Sequence, residues 1–160
     1  MAVIFNRYLQ NLMIGSGILG GIYSASYYAI TVYGGVQPSA STILSSWSST
    51  YYNTYLAHWS SVPLIQPNSS IAGDGRQLTL STATSSVTAN ASGTAAWAIM
   101  WPNNPVTLTT TLPSTQFIIV PAGIRTTTKN VVQFTDPTFV GGISGYSITA
   151  FALTATGGVA

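Results

Sequence analysis

The chain has 160 residues, a length that suits one domain built around one hydrophobic core. Six residues are charged, Arg7, Asp74, Arg76, Arg125, Lys129 and Asp136, or 4% of the chain, where about 25% is usual for soluble domains. With no Glu, no Cys and a single His, an enzyme that moves protons, a metal site with several anionic ligands and a disulfide scaffold all lack their parts.

Ser and Thr make up about a quarter of the chain, beside 11% aromatic and 46% hydrophobic residues. Disordered chains lack aromatics and β-branched residues, so this composition belongs to a folded domain. Dispersed surface charge is what keeps soluble domains apart, and its scarcity points to a chain that works in contact with neighbours. The sequence pI near 9.0 rests on four cations, with no basic cluster to track phosphates; nucleic acid is not an expected partner.

In chain order, Ile4, Phe5, Tyr8, Leu9, Leu12 and Met13 fall on one side of a helical spacing, opposite Asn6, Arg7, Gln10 and Asn11. Gly15 and Gly17 then supply stop signals, which predicts a short amphipathic helix over about residues 3–14. No charge occurs from Tyr8 to Ala57, and Ile14 to Val36 is apolar enough to raise a membrane span, with Gly17 and Gly21 in GxxxG spacing. Six glycines and three serines interrupt that stretch, no Lys or Arg cluster flanks it, and Tyr27 to Tyr33 has the β-branched and aromatic content of a strand. A strand is the preferred reading, and neither a membrane partner nor a signal peptide is expected. Residues 1–33 thus form an N-terminal helix and first strand that offer an interaction segment, ahead of a β-rich domain over 34–160.

Gly34, Gly35 and Pro38 mark a turn. The Ser/Thr/Tyr/Trp-rich region that follows, to about Trp59, is compatible with a helical stripe of Tyr51, Tyr52, Tyr55 and Trp59 or with an irregular loop. Beyond Pro63 the pattern is β: Leu64–Ile65, Gln77 to Thr82, Ala95 to Trp101, Val106 to Leu112, Phe117 to Val120, Val131 to Phe134 and Tyr146 to Leu153, with turns at Asp74-Gly75 and Asn103-Asn104-Pro105. Strands at this spacing predict a mainly β chain, a β-sandwich or jelly-roll-like domain with a short N-terminal helix.

Candidate chemistry is thin. His58, Asp74 or Asp136 and one of many serines would supply a triad, but no Gly-x-Ser-x-Gly elbow is present. Asp74 lies between two glycines and Asp136 precedes Pro137, both turn positions; His58 reads as a partly buried histidine with one hydrogen-bond partner. Asn68-Ser69-Ser70 and Asn90-Ala91-Ser92 match the glycosylation sequon, a pattern common by chance in Ser-rich chains. No catalytic residue, metal ligand or cofactor is expected. The aromatic set Trp47, Tyr51, Tyr52, Tyr55 and Trp59 suits core or subunit packing, with sugar stacking at Trp47 or Trp59 as a rival. The residues expected at an interface are Phe5, Tyr8, Leu9, Leu12, Trp47, Tyr51, Tyr55 and Trp59.

The segment Ile30-Thr31-Val32-Tyr33-Gly34-Gly35-Val36-Gln37-Pro38-Ser39-Ala40-Ser41 resembles the "IYxGxQPASAD" segment of a family of small tailed-bacteriophage structural proteins. Thr88 to Trp97 and Tyr146 to Thr154 resemble two later segments of that family, in the same order. The acidic residue that usually closes the first motif is absent, and the region from Trp47 to Trp59 is unusually aromatic. The resemblance implies a short helix leading into a strand and turn, and a non-enzymatic component of a virion without assigned place. A capsid decoration or cement role is expected, with a tail, baseplate or fibre-associated subunit as the alternative, and a small membrane protein or a carbohydrate-binding module as rivals of another class. The expected partners are major capsid or tail proteins and copies of the chain itself.

Overall fold

A computed structural model describes residues 4–5, 27–64, 75–80, 83–102, 107–113, 117–125 and 131–156. The run Tyr28–Tyr33 forms strand β2, and all six of its residues are buried. β2 pairs antiparallel with β3 (Ala57–Val62) on one side and with β7 (Trp97–Pro102) on the other. β7 in turn pairs antiparallel with β8 (Ile118–Ile124). Because side chains alternate across a strand, Tyr28, Ile30, Val32, Ala98, Met100, Ile118 and Val120 enter one hydrophobic cluster. Ala29, Tyr33, Trp97, Ile99, Trp101 and Ile119 enter a second cluster on the opposite face.

Each face has its own cover. The sheet continues through a parallel pairing of β8 with β9 (Val132–Phe134), then β12 (Ala150–Thr156) and β4 (Gly75–Thr79). As it curls, Val132, Phe134, Phe151 and Leu153 join the first cluster. Two short ladders complete that layer: β5 (Val87–Thr88) with β11 (Ser144–Tyr146), and β6 (Gly93–Thr94) with β10 (Thr138–Phe139). The second face lies under a helical segment, α1 (Ala40–Ser46), a π-helical turn (Trp47–Tyr51) and α2 (Tyr52–Thr54). The chain is therefore mainly β, with a β-sandwich-like domain, as its strand pattern predicts.

The helical segment settles the region that the sequence left open. Pro38 precedes the N-cap Ser39, whose Oγ accepts from the Thr42 backbone N–H at 3.2 Å and shares a 2.7 Å hydrogen bond with Thr42 Oγ1. These bonds satisfy first-turn groups that an acidic residue often serves. The π-turn widens the spiral, so Trp47 and Tyr51 both reach the sheet. The predicted N-terminal helix departs from the structure where the two overlap. Ile4–Phe5 is a strand, β1, paired antiparallel with β8 through Ile4 to Ile119 and Phe5 to Ile118; the rest of the predicted helix lies outside the described residues. The exposed edge of β8 captures this apolar pair by main-chain bonding, which overrides local helical spacing.

Further expectations shift for identifiable reasons. Residues 107–112 form no strand; Pro113 follows them, and Leu108 and Leu112 pack on the second cluster instead. Pro63 ends β3 after Val62, so the strand expected at Leu64–Ile65 lies earlier; Leu64 is a buried residue after it and Ile65 is outside the described residues. The strand expected from Tyr146 to Leu153 is broken at 147–149, where Ile148 N–H donates to Thr84 Oγ1 and Thr149 Oγ1 donates to the Gln133 carbonyl. The division at residue 33 falls at the end of β2, an interior strand paired on both sides.

The turn after β2 has two separate constraints. Gly35 holds a φ of 74°, in the left-handed region where a Cβ is strained. At Gly34 the obstacle is space, because a Cβ there would lie 3.0 Å from the Thr94 carbonyl oxygen. Both Gly34→Val and Gly35→Val are expected to cost about 1–3 kcal/mol, or a fall in Tm of roughly 2–9 °C for a domain of this size. Gly35→Asn should recover much of the loss, because Asn tolerates the left-handed region, while Gly34→Ala should remain destabilised. Thermal unfolding of the four variants checks this, and an unchanged Tm for Gly34→Val would show that the close approach to Thr94 is wrong.

Candidate docking surface

Three turns meet at one end of the sandwich: Gly34–Val36 after β2, Asn90–Ser92 between β5 and β6, and Val140–Ile143 between β10 and β11. The second and third are tied together by hydrogen bonds, and the first closely approaches Thr94, just past the second. Ala89 N–H donates to the Ile143 carbonyl at 2.9 Å, Gly142 N–H to the Ala89 carbonyl at 2.8 Å, and Gly141 N–H to Ser92 Oγ at 2.9 Å. Asn90 N–H donates to the Leu56 carbonyl and Asn90 Nδ2 to the Tyr55 carbonyl, so the second sequon's amide braces the end of the helical segment. The Tyr146 hydroxyl accepts from Val140 N–H at 2.8 Å while its ring stacks on Phe139.

On this braced frame stand exposed apolar side chains: Val36 at 92%, Val140 at 51% and Ile143 at 54%. The three turns contain no charged residue. Isolated exposed apolar residues are ordinary, but these three stand on uncharged, glycine-rich turns that offer apolar contact and backbone hydrogen bonds and no ion pair.

A cleft of about 520 Å³ opens beside Val36, lined by the turn after β2, by Ser92, Gly93 and Thr94, and by Thr50, Tyr51 and Thr54 of the helical segment. Its wall is an aromatic stack, Tyr33 on Trp97 with ring centres 4.3 Å apart and planes 9° apart. Tyr51 meets both rings edge-on, at 6.0 and 5.9 Å. Trp97 Nε1–H donates to the Gly34 carbonyl at 3.0 Å and so fixes the turn to the stack. The Tyr33 hydroxyl has no hydrogen-bond partner although the residue is 1% exposed. Burial, then the neighbouring phenols of Tyr55 and Tyr51, push its pKa well above the ordinary tyrosine value; burial also raises Tyr51, and burial and Tyr52 raise Tyr55.

The sequence-predicted interface residues separate. Trp47 and Trp59 are each 3% exposed and belong to the core. Trp47 Nε1–H donates to the Thr109 carbonyl and its ring meets Trp101 edge-on at 5.8 Å; Trp59 Nε1–H donates to the Ser85 carbonyl beside Phe134. An enclosed indole offers neither a partner nor a sugar a free face, which corrects both expectations for these two residues. Tyr51 and Tyr55 are half-buried, Tyr51 on the cleft. Phe5 is placed by its backbone in β1, while Tyr8, Leu9 and Leu12 lie outside the described residues.

Val36, Val140 and Ile143 were not singled out from the sequence. Their signal was an apolar residue directly beside a glycine pair, in Gly34-Gly35-Val36 and Val140-Gly141-Gly142-Ile143, where a turn leaves a side chain no core to enter. His58 Nδ1 shares a 2.8 Å hydrogen bond with Thr31 Oγ1 across β2 and β3. Asp136 Oδ1 accepts from Thr138 N–H at 2.8 Å, closing the predicted turn, and Asp74 is outside the described residues. Among the described residues no three His, Cys, Asp or Glu side chains gather as a metal site, and no helix is long and apolar enough to cross a membrane. No protein-family model, curated protein or solved structure matches the chain.

Two measurements follow from this geometry. The unpartnered Tyr33 hydroxyl is desolvated at a cost, so Tyr33→Phe should leave stability unchanged or raise it by up to about 1 kcal/mol near pH 7. Above the unfolded pKa near 10 the unfolded phenol ionises while the folded one stays protonated, so stability is present below about pH 10 and falls as pH rises. Tyr33 should contribute about 1.4 kcal/mol of that loss per pH unit, and denaturant titrations at pH 9–11.5 should show a shallower loss in Tyr33→Phe. Separately, Val36→Asp, Val140→Asp and Ile143→Asp should each change stability by about 0.5 kcal/mol or less while weakening self-association or docking, as read by sedimentation.

Proposed function

We propose that the chain is a non-enzymatic structural protein of a bacteriophage virion, a capsid decoration or cement subunit that docks on major capsid proteins and on copies of itself. The observation that carries this reading is the exposure of Val36, Val140 and Ile143 on uncharged, glycine-rich turns. A rigid apolar surface loses little conformational entropy on docking, which suits repeated attachment to a lattice. The resemblance of Ile30 to Ser41 to a virion-protein motif supports the same reading. In this chain that segment comprises the end of β2, the turn beside the cleft and the cap of α1, so the motif's residues build part of the proposed docking surface.

Quantitative mass spectrometry of purified particles, with the copy number set against that of the major capsid protein, tests the proposal. A lattice-scale copy number is expected, and attachment should survive raised ionic strength, since salt screens charges and leaves apolar contacts intact. A few copies per particle would move the protein to the tail, baseplate or fibre. Absence from particles, or release by salt alone, would overturn the reading.

A further inference from the structure

The edge of β8 is shared end to end by two strands. β9 pairs with Ala122 to Ile124, in parallel, and β1 pairs with Ile118 and Ile119, antiparallel. β1 thus sits in a slot next to residues that are themselves fully buried. Phe5, Ile118, Met100 and Ile30 form one row across the sheet, each the register partner of the next. Three strand spacings of about 4.8 Å put Phe5 only about 14 Å from Ile30.

About five extended residues would close that gap, yet about 20 separate Phe5 from Tyr27. Fully extended, that many residues reach about 70 Å, whereas a domain of this length is about 40 Å across. The connection is several times longer than a link within one chain requires, and long enough to enter a neighbouring molecule. Strand addition also needs no charge: main-chain hydrogen bonds supply affinity and apolar side chains supply fit. That suits a chain with six charged residues.

We propose that the β8 edge at Ile118–Ile119 is a strand-exchange slot, filled in the assembled protein by Ile4–Phe5 of a second copy. The register is the one seen here within one chain, and the exchange swaps identical pairings, so it costs little beyond bringing copies together. Crowding of copies on a lattice raises their local concentration and favours the exchange. The inference rests on the assembly reading only in that copies must meet; it does not require a particular place in a particle.

The chain has no cysteine, which makes disulfide trapping clean. Full-length chains carrying Phe5→Cys and Ile118→Cys separately, with tags of different size, are co-expressed, assembled and oxidised with diamide. Register partners hold the two sulfurs at high effective concentration, so the 5–118 product should exceed the 5–5 and 118–118 products by at least about tenfold. Ile4→Cys with Ile119→Cys gives a second pair should Ile118→Cys fail to fold. In chains carrying both cysteines of a pair, the exchange predicts covalent dimers and higher species on a non-reducing gel. A fast-migrating loop closed within one chain would overturn the proposal, as would the absence of register-specific product in a chain with a normal thermal transition. Either failure leaves the copy number per particle, and with it the virion reading, untouched.

Discussion

Strands β2, β7 and β8 carry apolar side chains on both faces, and this double burial is the constraint that the rest of the structure answers. A sheet with one wet face needs one cover; this one needs two. The first is made by the sheet itself, which curls through the parallel β8–β9 junction to bring Phe134, Phe151 and Leu153 over Ile30, Met100 and Val120. The second is the helical segment, which lays Ile43, Trp47 and Tyr51 on Tyr33, Trp97 and Trp101. Burial of a large apolar side chain contributes about 1.5–3 kcal/mol, so leaving either face open would forfeit several such contributions at once.

Scarcity of charge shapes how polar groups are handled inside this arrangement. Three indole N–H groups donate to main-chain carbonyls, those of Trp47, Trp59 and Trp97. Each bond ties a large aromatic to a loop, so the aromatics act as fasteners as well as core. Tyr33 and Trp101 are the exceptions, with a buried hydroxyl and a buried indole N–H that lack partners. Elsewhere hydroxyls serve where carboxylates or ammonium groups often do: Ser39 caps α1, Ser92 holds Gly141, and Thr31 meets His58. The abundance of Ser and Thr is thus partly a structural substitute for charge, short enough to bond locally and neutral enough to leave the surface without strong fields.

The same economy reaches the proposed docking end. Its turns are ordered by backbone bonds and by the Tyr33–Trp97 stack, and its exposed side chains have no role in the core. Glycine matters here twice and differently, through dihedral freedom at Gly35 and through close approach to Thr94 at Gly34. A surface of this kind recognises shape and backbone groups, which is a basis for attachment that salt does not weaken.

By itself the sequence determined the class of fold and the absence of ionic machinery, because both are properties of composition and local alternation. The β-branched and aromatic run at Tyr28–Tyr33 and the apolar runs at β7 and β8 are strands wherever they pack. Only the tertiary structure decided what those strands require of their surroundings. Trp47 and Trp59 are core because the helical segment and the strand after it happen to lie against the sheet, a fact without a local signature. Residues 107–112 alternate like a strand yet find no strand partner, and Ile4–Phe5, helical by spacing, extend beside β8 because an unpaired edge offers main-chain bonds. The exposed valines and isoleucine at the docking end are apolar in a sequence full of apolar residues. Long-range contact, which no window of sequence contains, is what left them outside.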